Sequence, residues 1–198
     1  MARLPIGLNS STVQKFIDGI QTTIDDLKDE ERKEEEEINK LLDEAYEYAV
    51  TSLSDMSLYA DTDMTPVINK LSIKYYDSKT RRGELFLAGG DEQENVGLYV
   101  EFGTGVRGLE NQHPAVGNGD VNWAYNTKGH GEQGWWYEVS EGNYKNPITW
   151  RDKEGTLRAW TKGMPSRPFM YNTMLWLKDQ IGEKYKVGFE FKGGKKWE

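Results

Sequence analysis

The chain has 198 residues and a mass of 22.7 kDa, room for one domain with a core but not for two ordinary ones. It has no cysteine, which excludes disulfides, thiolate catalysis and cysteine-held metal centres, and its 12% aromatics set it apart from disordered chains. The net charge of -8 is concentrated between Asp25 and Glu47, where twelve acids stand against four bases; the other 175 residues are neutral as a set, which argues against a nucleic-acid binder.

Met1 to Asn9 lacks the apolar core of a signal peptide, and no run approaches the roughly 20 apolar residues of a membrane span. A long helix is expected over 9–56. Val13, Phe16, Ile17, Ile20, Ile24 and Leu27, then Ile38, Leu41, Leu42, Ala45, Tyr46, Ala49 and Leu53, recur at spacings of three and four. No proline interrupts this stretch, and Asn9, Ser10 or Ser11 can cap its start. Nothing between Leu27 and Ile38 is apolar, but 11 residues are close to three turns, so both stripes share nearly one face of a continuous helix. A helix of about 40 residues, about 60 Å long, exceeds what the rest of the chain can cover. Its polar middle, Lys28 to Glu37, therefore stands in solvent or against another chain.

After a polar link, strands are expected at Leu71–Tyr76, Glu84–Ala88 and Val96–Phe102, with a turn at Arg81, Arg82 and Gly83. The third also fits a short helix, because Leu98, Tyr99 and Phe102 share one helical face. From 103 to 163 no regular period is visible, and five of the seven tryptophans fall here. This reads as an irregular Gly/Trp-rich insertion whose rings form a satellite core or contact a neighbour. Ser166 and Pro168 open a helix over 166–182, and alternating Tyr185, Val187, Phe189 and Phe191 predict a last strand over 185–192.

Three patterns imitate chemical sites. Gly103-Thr-Gly105-Val-Arg-Gly108 matches a dinucleotide fingerprint, but Pro114 and two glycines follow where a phosphate-binding helix is needed. Asp61-Thr-Asp63-Met-Thr65 matches a phosphotransferase nucleophile loop without the alternating strands and helices that such a loop requires; an Asx-type turn is the expectation. His113 and His130, with Asp120 or Glu132, suggest a metal site that no spacing fixes. With no Ser/His/Asp order and no supported carboxylate pair, neither an enzyme nor a cofactor is expected.

Two segments together carry a resemblance. Tyr99-Val-Glu-Phe-Gly-Thr-Gly105, followed by Trp160-Thr-Lys-Gly-Met-Pro-Ser-Arg-Pro-Phe-Met-Tyr171, resembles the tail-component or neck family of long-tailed bacteriophages, which pairs a VEFGTG segment with a PxxPFM helix start. Gly129-His-Gly-Glu-Gln-Gly-Trp-Trp-Tyr137 is similar to a stretch that members from phages of Gram-positive hosts often insert. The match covers about residues 95 to 192.

The resemblance implies an α+β fold, with the N-terminal helix on a small, mostly antiparallel sheet and a second helix beside it. It implies a structural virion protein of the head-tail junction, assembled in the host cytoplasm as a homo-oligomeric ring, six copies by analogy, that completes the tail. Its partners would be the head connector, the tail terminator or the tail tube. Glu101, Phe102, Gly103, Gly105, Trp135, Trp136, Tyr137, Pro168 and Phe169 are the motif residues and possible interface. On physical grounds, Gly103 and Gly105 suit positive φ, Glu101 suits a cap or a base, and Pro168 and Phe169 seat the C-terminal helix. Glu34, Glu35, Glu36 and Glu37 would face a DNA lumen, a basic partner or solvent. The alternative is a soluble binding module whose exposed tryptophans take carbohydrate or protein, although sugar platforms usually stand on strands and these tryptophans are expected in irregular chain.

Overall fold

The computed structural model describes residues 10–60, 63–88, 96–125, 134–139 and 148–188. Its longest element, α1 (Ser10–Ala60), is one uninterrupted helix of 51 residues, about 75 Å long and longer than the periodicity predicts. Its two ends have different surroundings. From Ile38 to Met56 the inner face carries Leu42, Ala45, Ala49 and Leu53, all buried, while between Ser11 and Lys33 every described side chain is exposed.

A short helix, α2 (Thr65–Ile68), leads into an antiparallel hairpin of β1 (Leu71–Asp77) and β2 (Arg82–Leu87), paired Leu71 with Leu87 and Ile73 with Leu85. Asp63 Oδ1 accepts the Thr65 backbone N–H at 2.9 Å, the expected Asx turn. The hairpin turn lies upstream of Arg82, where Asp77 accepts from Lys79 N and Thr80 Oγ1 and Arg81 takes φ +50°. Arg82 and Gly83, expected in the turn, already belong to β2. The hairpin packs on α1: Tyr76 N–H donates to Asn39 Oδ1 at 2.8 Å, Tyr75 OH to Asp43 Oδ1 at 2.8 Å, and Leu42 lies over Gly83.

Val96–Phe102 is helix α3 and not a strand, so the helical alternative holds and the sheet ends at β2. Two further short helices follow, α4 (Gly105–Glu110) and α5 (Pro114–Gly117). The expected irregular insertion also contains a three-stranded antiparallel sheet of β3 (Trp135–Glu138), β4 (Thr149–Arg151) and β5 (Leu157–Thr161), with β5 in the middle. The last described element is α6 (Phe169–Ile181), which lies against α1 with Tyr48 stacked on Trp176, ring centroids 5.2 Å apart. Of the strand expected over 185–192, residues 185–188 are irregular and the rest lies outside the described residues.

The architecture is α+β, as expected, though with two small sheets where one was foreseen. The core forms where α1, the first hairpin, α3 and α6 meet: Ala49, Leu53, Met64, Val67, Leu71, Val100 and Phe169, with Leu85, Leu87 and Met170 at its edge. Among the described residues no helix is long and apolar enough to cross a membrane.

Candidate functional site: a buried carboxylate clamp and two uncovered apolar surfaces

Glu101 ends α3 pointing inward and is only 1% exposed. A buried carboxylate is costly unless its oxygens are satisfied. Here Oε2 accepts the Met170 N–H at 2.9 Å and Oε1 the Tyr171 N–H at 3.0 Å, two of the free amides that open α6. The positive end of the α6 dipole favours the anion in the same place. The third partner is His113 Nε2, 2.9 Å from Oε1. His113 Nδ1 accepts the Ala115 N–H at 3.0 Å, capping α5, and so carries no proton; Nε2 must then be the protonated nitrogen and donates to Glu101. The arrangement is a carboxylate held by three donors, with a neutral imidazole among them.

The main chain completes the clamp. Ser166 Oγ donates to the Glu101 carbonyl at 2.6 Å, Arg167 N to Val100 O at 2.9 Å, Thr104 N to Met164 O at 2.9 Å, and Met164 N to Thr104 Oγ1 at 3.2 Å. Gly103 has φ +78°, and a Cβ there would lie 2.6 Å from Ser166 N. Gly105 has φ +60°, with Trp135 seated where its side chain would be. Phe102 stacks on Trp123 at 4.8 Å, and His113 meets Tyr171 edge-on at 5.1 Å. Tyr125 OH accepts the His113 N–H, and burial pushes that phenol above its ordinary range.

The two segments carrying the sequence resemblance, some 60 residues apart, therefore form one interlocked unit. Glu101, Phe102 and Phe169 are buried within the chain and present no surface to a neighbour, which corrects their place in a possible interface; Pro168 is the residue before α6, and Phe169 sits in the core. Ser166, expected as a helix cap, bonds the Glu101 carbonyl instead. His113, read from sequence as half of an unlikely metal pair, is engaged inside the clamp; His130 lies outside the described residues. Among the described residues no group of three or more His, Asp or Glu side chains is placed to hold a metal ion. The Gly103–Gly108 stretch begins the six-residue α4, whose Thr104 makes no side-chain cap, and offers no helix of useful length for phosphate.

Comparisons with known protein families, with curated proteins and with solved structures returned no match.

Among the described residues two apolar surfaces are exposed. One is the N-terminal stripe of α1: Val13, Phe16, Ile17, Ile20, Ile24 and Leu27 are all exposed, Phe16 to 70% and Leu27 to 60%. The other is one face of the second sheet. Cross-strand pairing of Trp136 with Trp160 and of Trp150 with Arg158 puts these side chains on one face; Trp136 and Trp150 are exposed, as is Ile148 just before β4. These tryptophans stand on strands, contrary to the sequence expectation. Their rings are tilted 59° and 64° to one another, so they do not make a flat platform of the kind a sugar ring stacks on. Trp135 points to the opposite face and is half-buried over Gly105, whereas Tyr137, on that same face, is exposed.

The acidic run divides by direction. Glu34 reaches Arg81 of the hairpin turn at 3.7 Å, and Glu37 pairs with Lys184 and Tyr185 beyond α6. Lys184 holds the Glu37 carboxyl below its usual range. Glu36 pairs along the helix with Arg32 at 3.0 Å, and Glu35 is exposed. Two of the four glutamates thus brace α1 against its own chain.

Proposed function

We propose that this chain is a structural virion protein of the head-tail junction of a long-tailed bacteriophage, acting as an oligomeric ring that completes the tail and joins it to the head connector. The sequence resemblance supplies the identity of the assembly. The observation that carries an assembly role is α1: a helix extending about 35 Å beyond the part that packs on the core, with six large apolar side chains uncovered along it. Left in water such a face favours association, and a protein that works by binding copies of itself or its neighbours has use for it. A ring needs a heterologous, head-to-tail contact distinct from the α1 stripe, and the Trp136, Trp150 and Ile148 face offers one side of it.

Negative-stain microscopy and mass photometry of the purified chain test this. Closed rings with a central opening, lost in Trp136→Ala/Trp150→Ala while the melting temperature stays, are the expected result. A chain that makes no ring at any concentration, and that binds a glycan array instead, would favour the carbohydrate-module reading.

A further inference from the structure

We infer that the exposed stripe of α1 is the contact by which two copies of this chain pair, their helices antiparallel across a two-fold axis between Asp18 and Thr22. The inference deepens the assembly reading above, naming the occupant of one surface, and rests on the same uncovered helix.

The spacing of the stripe is that of a coiled-coil seam. Val13, Ile17, Ile20, Ile24 and Leu27 follow one another at intervals of 4, 3, 4 and 3, which are alternate a and d positions of a heptad, with Ile17 and Ile24 at a and Val13, Ile20 and Leu27 at d. Beside this seam stand Gln14, Phe16, Gln21 and Thr23, none of them charged. Zippers that choose a different partner do so through charges at these flanking positions; here the one charge is Lys28, beside Leu27 at the end of the stripe, and an antiparallel copy brings no second lysine opposite it, so no like-charge pair within the overlap opposes its own copy.

Charge sets the direction. The next heptad places Glu31 at a and Glu34 at d, and residues 28–37 carry seven acids against three bases. Parallel helices in register would bring these two segments side by side, with Glu31 and Glu34 facing their own copies across the seam. Antiparallel helices move them to opposite ends, about 30 to 40 Å apart at 1.5 Å per residue, which is several times the roughly 8 Å screening length of physiological salt. The overlap comprises about four a/d layers, short of a standard-size interface, so the pair should exchange with a dissociation constant on the order of micromolar. A two-fold contact can make only pairs, so rings built through the tryptophan face would associate face to face in even numbers of copies.

Sedimentation of the full chain should give twice the 22.7 kDa chain mass, or even multiples of it, at about 100 µM, and single chains well below 1 µM. Ile20→Asp/Ile24→Asp, at two exposed positions, should remove the pair and leave the far-UV spectrum and melting temperature unchanged. Because the chain has no cysteine, Lys33→Cys can carry a single spin label; the antiparallel pair predicts a label separation of about 33 to 44 Å from the helical rise. A separation below about 20 Å would mean parallel helices, and a single-chain species at 100 µM, or pairing untouched by the aspartates, would overturn the inference. Rings without the spin-label distance would refute the pair and keep the neck reading; pairs without rings would do the reverse.

Discussion

Replacing Glu101 by alanine removes the acceptor shared by two helix-opening amides and an imidazole, leaving three buried donors unsatisfied. Loss of one side of such a buried network costs about 3 kcal/mol or more, to be read as a lowered denaturant midpoint with the slope preserved. Glu101→Gln keeps an acceptor and should fall between. Nitrogen-15 spectra should show His113 with a bare Nδ1 and the proton on Nε2, the tautomer its two partners dictate. Trp135 and Trp136 are neighbours in sequence with opposite fates: Trp135→Ala should lower the melting temperature by emptying the space over Gly105, and Trp136→Ala should barely move it. The glycines and prolines of the motif, and Glu101's fitness as a cap, were readable from residue chemistry alone. His113 was not, because its partner stands twelve residues away on another helix, and the legible signal was no more than the proline after it, which fixes an extended backbone at a helix start.

The hairpin between β4 and β5 depends on one carboxylate. Asp152 accepts Glu154 N and Thr156 N on one oxygen and Arg158 Nε at 2.8 Å on the other. The Arg158 hydrogen bond, with the backbone amides, holds the Asp152 carboxyl below its usual range. Between that lowered value and the ordinary one near 3.9, the unfolded chain takes up a proton that the folded hairpin does not, so the stabilisation is full above the ordinary value and is lost as the pH falls through the lowered one. Amide exchange at Glu154 and Thr156 should accelerate across that acid window, and Asp152→Asn should flatten the response. These strands escape a reading by alternation for a physical reason: they are three to five residues long, and Trp135-Trp-Tyr137 is aromatic on both faces, so the period of two has nothing to alternate. Val96–Phe102 shows the converse. Its apolar spacing suits strand and helix alike, and the decision comes from outside the segment, where α6 demands a carboxylate at its first turn. Helix α1 was legible because two apolar stripes, 13–27 and 38–53, share one helical period and no proline stands between them.

The buried residues of α1 and its exposed apolar stripe occupy different halves of the helix. Buried side chains of α1 begin at Leu42, whereas the stripe ends at Leu27, with a charged stretch between them anchored by Glu34 to Arg81 and Glu37 to Lys184. Deleting residues 1–30 should therefore leave the melting temperature within about 2 °C while the paired species disappears; a large loss of stability would show that the projecting half supports the core. Seven of the twelve acids between Asp25 and Glu47 lie in this spacer, and all of these but Glu34 are exposed. One consequence of the clamp concerns synthesis. Glu101 leaves the ribosome well before its partners at Met170 and Tyr171, so it waits about 70 residues for the amides that satisfy it. At 5 to 20 residues per second that is a delay of several seconds, during which α3 has no reason to bury its charged end. The Glu101 clamp cannot close before α6 is made, and a product truncated before α6 would leave that carboxylate with His113 alone of its three partners.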